Sequence, residues 1–212
     1  MHIGLMIRNM GDQSTKEIMA GAALAAEEKG FESIWVVDHI AIPPNNAEGS
    51  GGRYVDILSS LAWLAGVTST IKIGSGVLIA PYREILPTAK QIASIQELSG
   101  NRLLLGIGLG WMEAEFKALG VDRKKRGKIT DEFLTFMHEA FSKDEVQLNE
   151  QKFIFKPRPT KPPFYIGGSK DYSIKRAARL GDGWIPLVNE PEEPVSYTHL
   201  RAHETSLHIV CR

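Results

Sequence analysis

The tightest constraint on this chain's fold is a repeated alternation. Short apolar runs of strand length occur at residues 2–7, 33–37, 71–79, 103–107, 164–166 and 183–186, with helical patterns between them. Strands spaced by helices pair in parallel, and the helix supplies a right-handed crossover. Two architectures fit that pattern: an open doubly wound sheet and a (β/α)8 barrel. The first strand–helix turn reads IRNMGDQS and lacks the three-glycine fingerprint of a dinucleotide-binding sheet. The barrel is therefore favoured. A whole barrel takes about 250 residues, whereas this chain has 212. The expectation is a C-terminally truncated α/β (β/α)8 TIM barrel, with about six of the eight strands present. Strand one of a closed barrel pairs with strand eight, so the edge at 2–7 is expected to lie open.

Local signals sharpen the element boundaries. Ser14 stands three residues before Glu17, the spacing of a capping box, and Gly30 stops the helix that follows. Val55, Leu58, Ala62 and Ala65 share one face of a second helix. Pro87 opens the next one, where its missing N–H costs nothing, and Gly100 closes it. Ile129, Phe133, Phe136 and Ala140 form one stripe of a longer helix. Residues 147–163 resemble an insertion containing a small hairpin.

Composition narrows the function classes. With 25 basic and 25 acidic residues, the formal charge is zero. That leaves no electrostatic footprint for nucleic acid, and the basic run at 123–128 is expected to be a solvated turn before a helix. A single cysteine, Cys211, suits a reducing compartment. No apolar run reaches membrane-spanning length, so a cytoplasmic protein is expected.

In such barrels chemistry sits at the C-terminal ends of the strands. Those ends read Asp38-His39 after the second strand, Gly74 to Val77 in the third, Gly108 to Trp111 in the fourth and Gly167 to Ser169 in the fifth. Glycine weakens strands, so Gly106, Gly108 and Gly110 mark places where backbone approaches something closely. Backbone N–H groups of Gly167, Gly168 and Ser169, ahead of a helix, make an anion site; a plain helix cap explains the same letters. Two glycine-rich ends and an Asp-His pair on one rim suggest a broad, flat ligand with a phosphate tail.

Three segments carry a resemblance: ESIWVVDHIAIP, IGSGVLIAPYREILPTAKQIASIQELSGNRLLLGIGLGWMEAEFKALGV and FYIGGSKDYSIKRAARLGDGWIP. Over residues 1–187 the chain resembles the luciferase-like monooxygenase superfamily, most closely its coenzyme F420-dependent oxidoreductase branch. The resemblance implies a cofactor, F420 or alternatively FMN, and a small organic substrate in a homodimeric whole protein. It implies that His39 is the active-site histidine beside the cofactor ring, with Asp38 orienting it, contacting the cofactor or merely capping its loop. It implies a non-prolyl cis peptide at Gly76–Val77; an ordinary glycine bulge is the alternative. Gly108 and Gly110 would let backbone approach the cofactor, with Leu109 between them, while Gly106 serves packing. Some relatives carry an acid where this chain has Trp111, so their sugar-phosphate substrate does not transfer. Glu113 and Glu115 are expected on an exposed helix face.

Residues 188–212 continue no family motif and resemble out-of-frame sequence, so a disordered tail is expected. Its His199, His203, His208 and Cys211 have spacing that evokes zinc, but no metal site is expected. An FMN-dependent monooxygenase and a non-catalytic flavin-binding barrel remain the alternative functions.

Overall fold

The computed structural model describes residues 3–187 and 208–209. In chain order it contains β1 (Gly4–Met6), α1 (Lys16–Glu28), β2 (Ser33–Val36), α2 (Ile57–Val67), β3 (Lys72–Ile79), α3 (Ile85–Leu98) and β4 (Leu103–Gly108). Then follow α4 (Glu113–Ala118), α5 (Arg126–Ser142), β5 (Glu145–Leu148), β6 (Gln151–Ile154), β7 (Phe164–Gly167), α6 (Asp171–Leu180), β8 (Gly183–Ile185) and β9 (His208–Ile209).

The main sheet runs β1-β2-β3-β4-β7-β8-β9, and every neighbouring pair is parallel. The six predicted strands are therefore present, in sequence order, as part of a (β/α)8 barrel. β1 is an outermost strand among the described residues. The expected disordered tail lies outside the described residues, apart from His208–Ile209, which pair in parallel with β8. The predicted insertion carries the antiparallel β5–β6 hairpin, turned by Asn149 and Glu150 at φ 48° and 64°. Two consecutive positive φ values match the twist that tight hairpins need.

One core joins sheet and helices. Ile34, Ile73, Leu105, Ile107, Phe164 and Ile166 project from the strands, and Met19, Leu61, Ile92, Phe133 and Met137 from the helices. Burying a side chain of this size is worth about 1.5–3 kcal/mol, so the packed helices hold the sheet's curvature and with it the strand ends.

Three local expectations need correction. Thr15, not Ser14, caps α1, accepting from the Ile18 N–H at 3.3 Å. Ser14 is buried, donating to Gly11 O and receiving Arg53. Ala62 is exposed, and the buried stripe of α2 runs through Ile57, Leu58, Leu61, Leu64 and Ala65. The helix is apolar on most sides, so periodicity leaves its phase ambiguous. α3 begins at Ile85, two residues before Pro87, whose missing N–H still falls among the unpaired donors of a first turn.

Two features aim the strand ends. Asn9 is fully buried, donating to Val37 O and Val55 O and accepting from the Val37 N–H. It ties the exit of β1 to that of β2. In β3 the register shifts between Ser75 and Leu78, where the Gly76–Val77 peptide is cis. The predicted position of that bond is the observed one.

Candidate functional site

A cavity of about 360 Å³ opens at the C-terminal ends of β2, β3, β4 and β7. Asp38 and His39 line it from β2, and Gly76 and Val77 from the β3 bulge. Gly108, Leu109 and Gly110 line it from β4, and Gly167, Gly168 and Ser169 from β7. All ten sequence-predicted site residues thus meet at one pocket. Its volume falls within the range of small-molecule sites.

The glycines also answer to contacts inside the sheet. A Cβ on Gly108 would lie 2.4 Å from Val77 Cγ2, and one on Gly167 3.0 Å from Val77 Cγ1. The bulged β3 pushes Val77 between its neighbours, and they yield by having no side chain. A Cβ on Gly106 would stand 2.1 Å from Ser75 O, so packing inside the sheet sets that residue. Gly110 has φ +76°, and its Cβ would meet Ile79 Cγ2 at 2.8 Å. The result is a pocket wall in which Val77 lies beside glycines that carry no side chain.

His39 is held by a residue expected to be solvent-exposed. Glu115 is fully buried. Its Oε2 accepts from His39 Nδ1 at 2.8 Å and from Tyr82 OH at 2.9 Å. Its Oε1 accepts the Ile40 and Ala41 N–H groups at 2.6 and 3.0 Å. Burial opposes ionisation of Glu115, but these four donors outweigh it and hold the carboxyl below its ordinary range. A carboxylate on Nδ1 selects the Nδ1–H tautomer and leaves Nε2 as the open nitrogen. The rings of Tyr54 and Trp111 meet the imidazole edge-on, at centroid distances of 4.9 and 6.2 Å. Tyr82 remains a phenol, because burial and the neighbouring Glu115 push its pKa up. Glu113, by contrast, is exposed as expected.

Asp38 does not orient His39. Both its oxygens grip Arg83, at 2.6 and 2.9 Å, and Oδ2 also accepts the Ile79 N–H at 2.9 Å. Burial pushes the Asp38 carboxyl up while Arg83 and the Ile79 N–H pull against it. Arg83 reaches on to Asp56, the N-cap of α2. Asp38 thus braces the end of β3, the loop-capping alternative, while still lining the pocket.

The anion site also changes. The Gly168 N–H is committed to Ile185 O at 3.1 Å, so it does not face a ligand. What remains is the first turn of α6, which has no side-chain cap, with Ser169 and Lys170 beside it in the pocket. Sequence reading missed Glu115, Tyr82, Arg83 and Tyr54. The one available signal was Glu115's place beside Phe116 in a helix of six residues, too short for a periodicity to assign faces. The tail histidines evoking zinc lie outside the described side chains; among the described residues no group of three metal-binding side chains converges.

A parallel barrel sheet with a glycine-lined pocket at its strand ends and a carboxylate-anchored histidine on the rim has the layout of a small-molecule site in barrels of this kind. The family profile described as luciferase-like monooxygenase matches residues 1–202, and the chain belongs to that family. An uncharacterised protein of Mycobacterium tuberculosis is 31% identical over 189 residues, covering 81% of this chain and 65% of that protein. The chain therefore spans just under two thirds of that relative. An F420-dependent secondary alcohol dehydrogenase, solved with an F420-acetone adduct, superposes with TM-score 0.76 at 18% identity, covering 99% of this chain and 68% of that one. A type II Baeyer–Villiger monooxygenase of Pseudomonas putida, solved with FMN, gives TM-score 0.75 at 13% identity, covering 100% and 66%. Both kinds of neighbour share the fold. Among the described residues no helix is long and apolar enough to cross a membrane.

Proposed function

We propose that this chain is the cofactor-binding part of an F420-dependent oxidoreductase that exchanges hydride between the deazaflavin and a small organic substrate. The whole protein is read as a cytoplasmic homodimer. The observation that carries the reading is His39, anchored through Nδ1 on buried Glu115 and set at the rim of a glycine-lined pocket.

When bound, a deazaflavin supplies a ring carbon that accepts or donates hydride. Val77 and its flanking glycines fit such a ring, and Ser169, Lys170 and the uncapped turn of α6 fit its phosphate. His39 Nε2 takes the proton that accompanies hydride loss from the substrate, and Glu115 stabilises the imidazolium so formed. Trp111, largely exposed beside His39, gives the substrate an apolar wall. The resemblance of the quoted motifs to the F420-dependent branch favours the deazaflavin over FMN.

Fluorescence titration with F420, FMN and NADPH tests the assignment, with F420 expected to bind tightest. A preference for FMN, with oxygen uptake on reduction, would move the protein to the monooxygenase reading. Tight binding of either cofactor without turnover would favour a non-catalytic flavin-binding barrel. His39→Ala is expected to lower turnover by about 10²-fold or more while changing cofactor affinity less.

A further inference from the structure

Tyr82 lines the strand-end pocket, yet the reaction above gives it no part. It belongs to the helical turn at residues 80–82 that follows β3, and it is 7% exposed. Its ring packs edge-on against Phe116 of α4, with centroids 5.1 Å apart, in a small apolar cluster with Ile79. A phenylalanine would serve that packing equally. The hydroxyl is what the packing does not explain. It donates to Glu115 Oε2 at 2.9 Å, the same oxygen that takes the His39 Nδ1–H at 2.8 Å. Oε1 is separately held by the Ile40 and Ala41 N–H groups. The two side-chain donors therefore divide a single oxygen of a buried carboxylate.

A second donor on that oxygen has a definite direction of effect. Hydrogen bonds to an ionised acceptor are about twice as strong as neutral ones, and in a poorly screened interior neighbouring bonds polarise one another. Charge drawn toward the Tyr82 O–H is charge withheld from the Nδ1–H. Left to itself, a buried carboxylate favours the imidazolium and makes His39 slow to give a proton up. A group that both takes and returns a proton works best when neither state is held too tightly. Tyr82 keeps its own proton, because burial first and Glu115 next hold the phenol well above its ordinary range.

The surrounding charges do not take over this role. Asp38 is held by Arg83, which also binds Asp56. Asp38 and Arg123 act on Tyr82 only through space and with opposite signs. The rings of Tyr54 and Trp111 meet His39 directly, and Arg126, Lys170 and Tyr172 line the pocket from the starts of α5 and α6. All of these stay in place when the Tyr82 hydroxyl alone is removed.

We propose that Tyr82 is a positioning residue for the proton step: by taking a share of Glu115 Oε2 it loosens the carboxylate's hold on the His39 Nδ1–H, so that Nε2 can both accept a proton and release it. The inference rests on the reading of His39 as the group that takes the substrate's proton. In that step the substrate O–H proton passes to Nε2 as its C–H hydride leaves for the deazaflavin. The Nδ1–H stays where it is, Glu115 remains a carboxylate and Tyr82 a phenol. Tyr82 touches no reacting atom.

Tyr82→Phe keeps the ring against Phe116 and removes the share. Proton NMR of the protein without cofactor or substrate should then show the His39 Nδ1–H resonance moved downfield, the mark of a stronger bond to Glu115. The pH midpoint of the His39 ring titration should rise by about 0.5–1 unit, while F420 affinity stays within about twofold. Tyr82 replaced by 3-fluorotyrosine, a more acidic phenol and a stronger donor, should move the resonance upfield and the midpoint down. The fluorinated ring also carries the test if the phenylalanine variant folds poorly. A purely structural hydroxyl would lower Tm in Tyr82→Phe and leave both the resonance and the midpoint unmoved; that result, or a shift of the same sign in both variants, overturns the proposal and leaves the cofactor reading standing. Failure of F420 to bind the unsubstituted protein is a separate outcome, which overturns the cofactor reading and the proton step with it.

Discussion

Replacing Glu115 separates the anchoring of His39 from the stability of the barrel's rim. Glu115→Ala removes the acceptor of four donors: the Ile40 and Ala41 N–H groups, Tyr82 OH and His39 Nδ1. Each buried donor left unpaired costs about 1–3 kcal/mol. Water entering the vacated space recovers part of that, so the net loss is about 3–5 kcal/mol, the range for breaking a buried charged network. For a chain of this length each kcal/mol moves Tm by about 2–4 °C, so Glu115→Ala should lower Tm by roughly 6–20 °C. Glu115→Gln keeps an oxygen for the two backbone donors and should cost only about 1–2 kcal/mol. Its amide, however, donates toward Nδ1 and turns the imidazole to the Nε2–H form. Nitrogen-15 NMR of the ring should report that exchange, and turnover should fall as if His39 were lost. The sign of the pH dependence follows from a carboxyl held below its ordinary range. The stabilisation is complete above that range and fades as pH drops through the folded-state value. A Tm loss below about 2 °C in the alanine variant, or an unchanged tautomer in the glutamine variant, would refute this account.

Gly108→Ala would place a methyl 2.4 Å from Val77 Cγ2; overpacking of that kind costs about 1–3 kcal/mol, and calorimetry should show the loss together with weakened cofactor binding. Asp38→Asn leaves the Arg83 guanidinium, largely buried at the end of β3, without its main counter-charge and should cost about 3–5 kcal/mol in chemical denaturation. Glu27 accepts the N–H groups of Ser69, Thr70 and Ile71. The Thr70 N–H leads, against a smaller opposing burial, in lowering its pKa from 4.5 to about 2. Glu27→Gln should therefore destabilise fully above pH 4.5, with the difference from wild type vanishing as pH approaches 2; a difference independent of pH would contradict it.

The order of strands and helices was legible because periodicity is local. Apolar runs bounded by Gly30, Gly100 and Gly181 mark strand and helix ends without knowledge of any distant residue. Once the fold class follows, so does the set of strand ends, and that is why ten residues scattered from Asp38 to Ser169 were assigned to one pocket. Partnerships across the fold were not legible. Glu115 lies 76 positions from His39, on a helix too short to reveal a buried face, and only folding brings α4 against the end of β2. Asp38 and His39 are adjacent in sequence, which suggested a pair; successive side chains leaving a strand point in opposite directions, so Asp38 met Arg83 while His39 met Glu115. The glycines show the same division. Their spacing declared a close approach, and the tertiary structure shows that Val77 and Ser75 are among the atoms packed against them. The basic run at 123–128 looked like a solvated turn because charge alone does not distinguish a surface from a wall. Packing against Arg176, contributed by a helix some fifty residues away, made it a cavity.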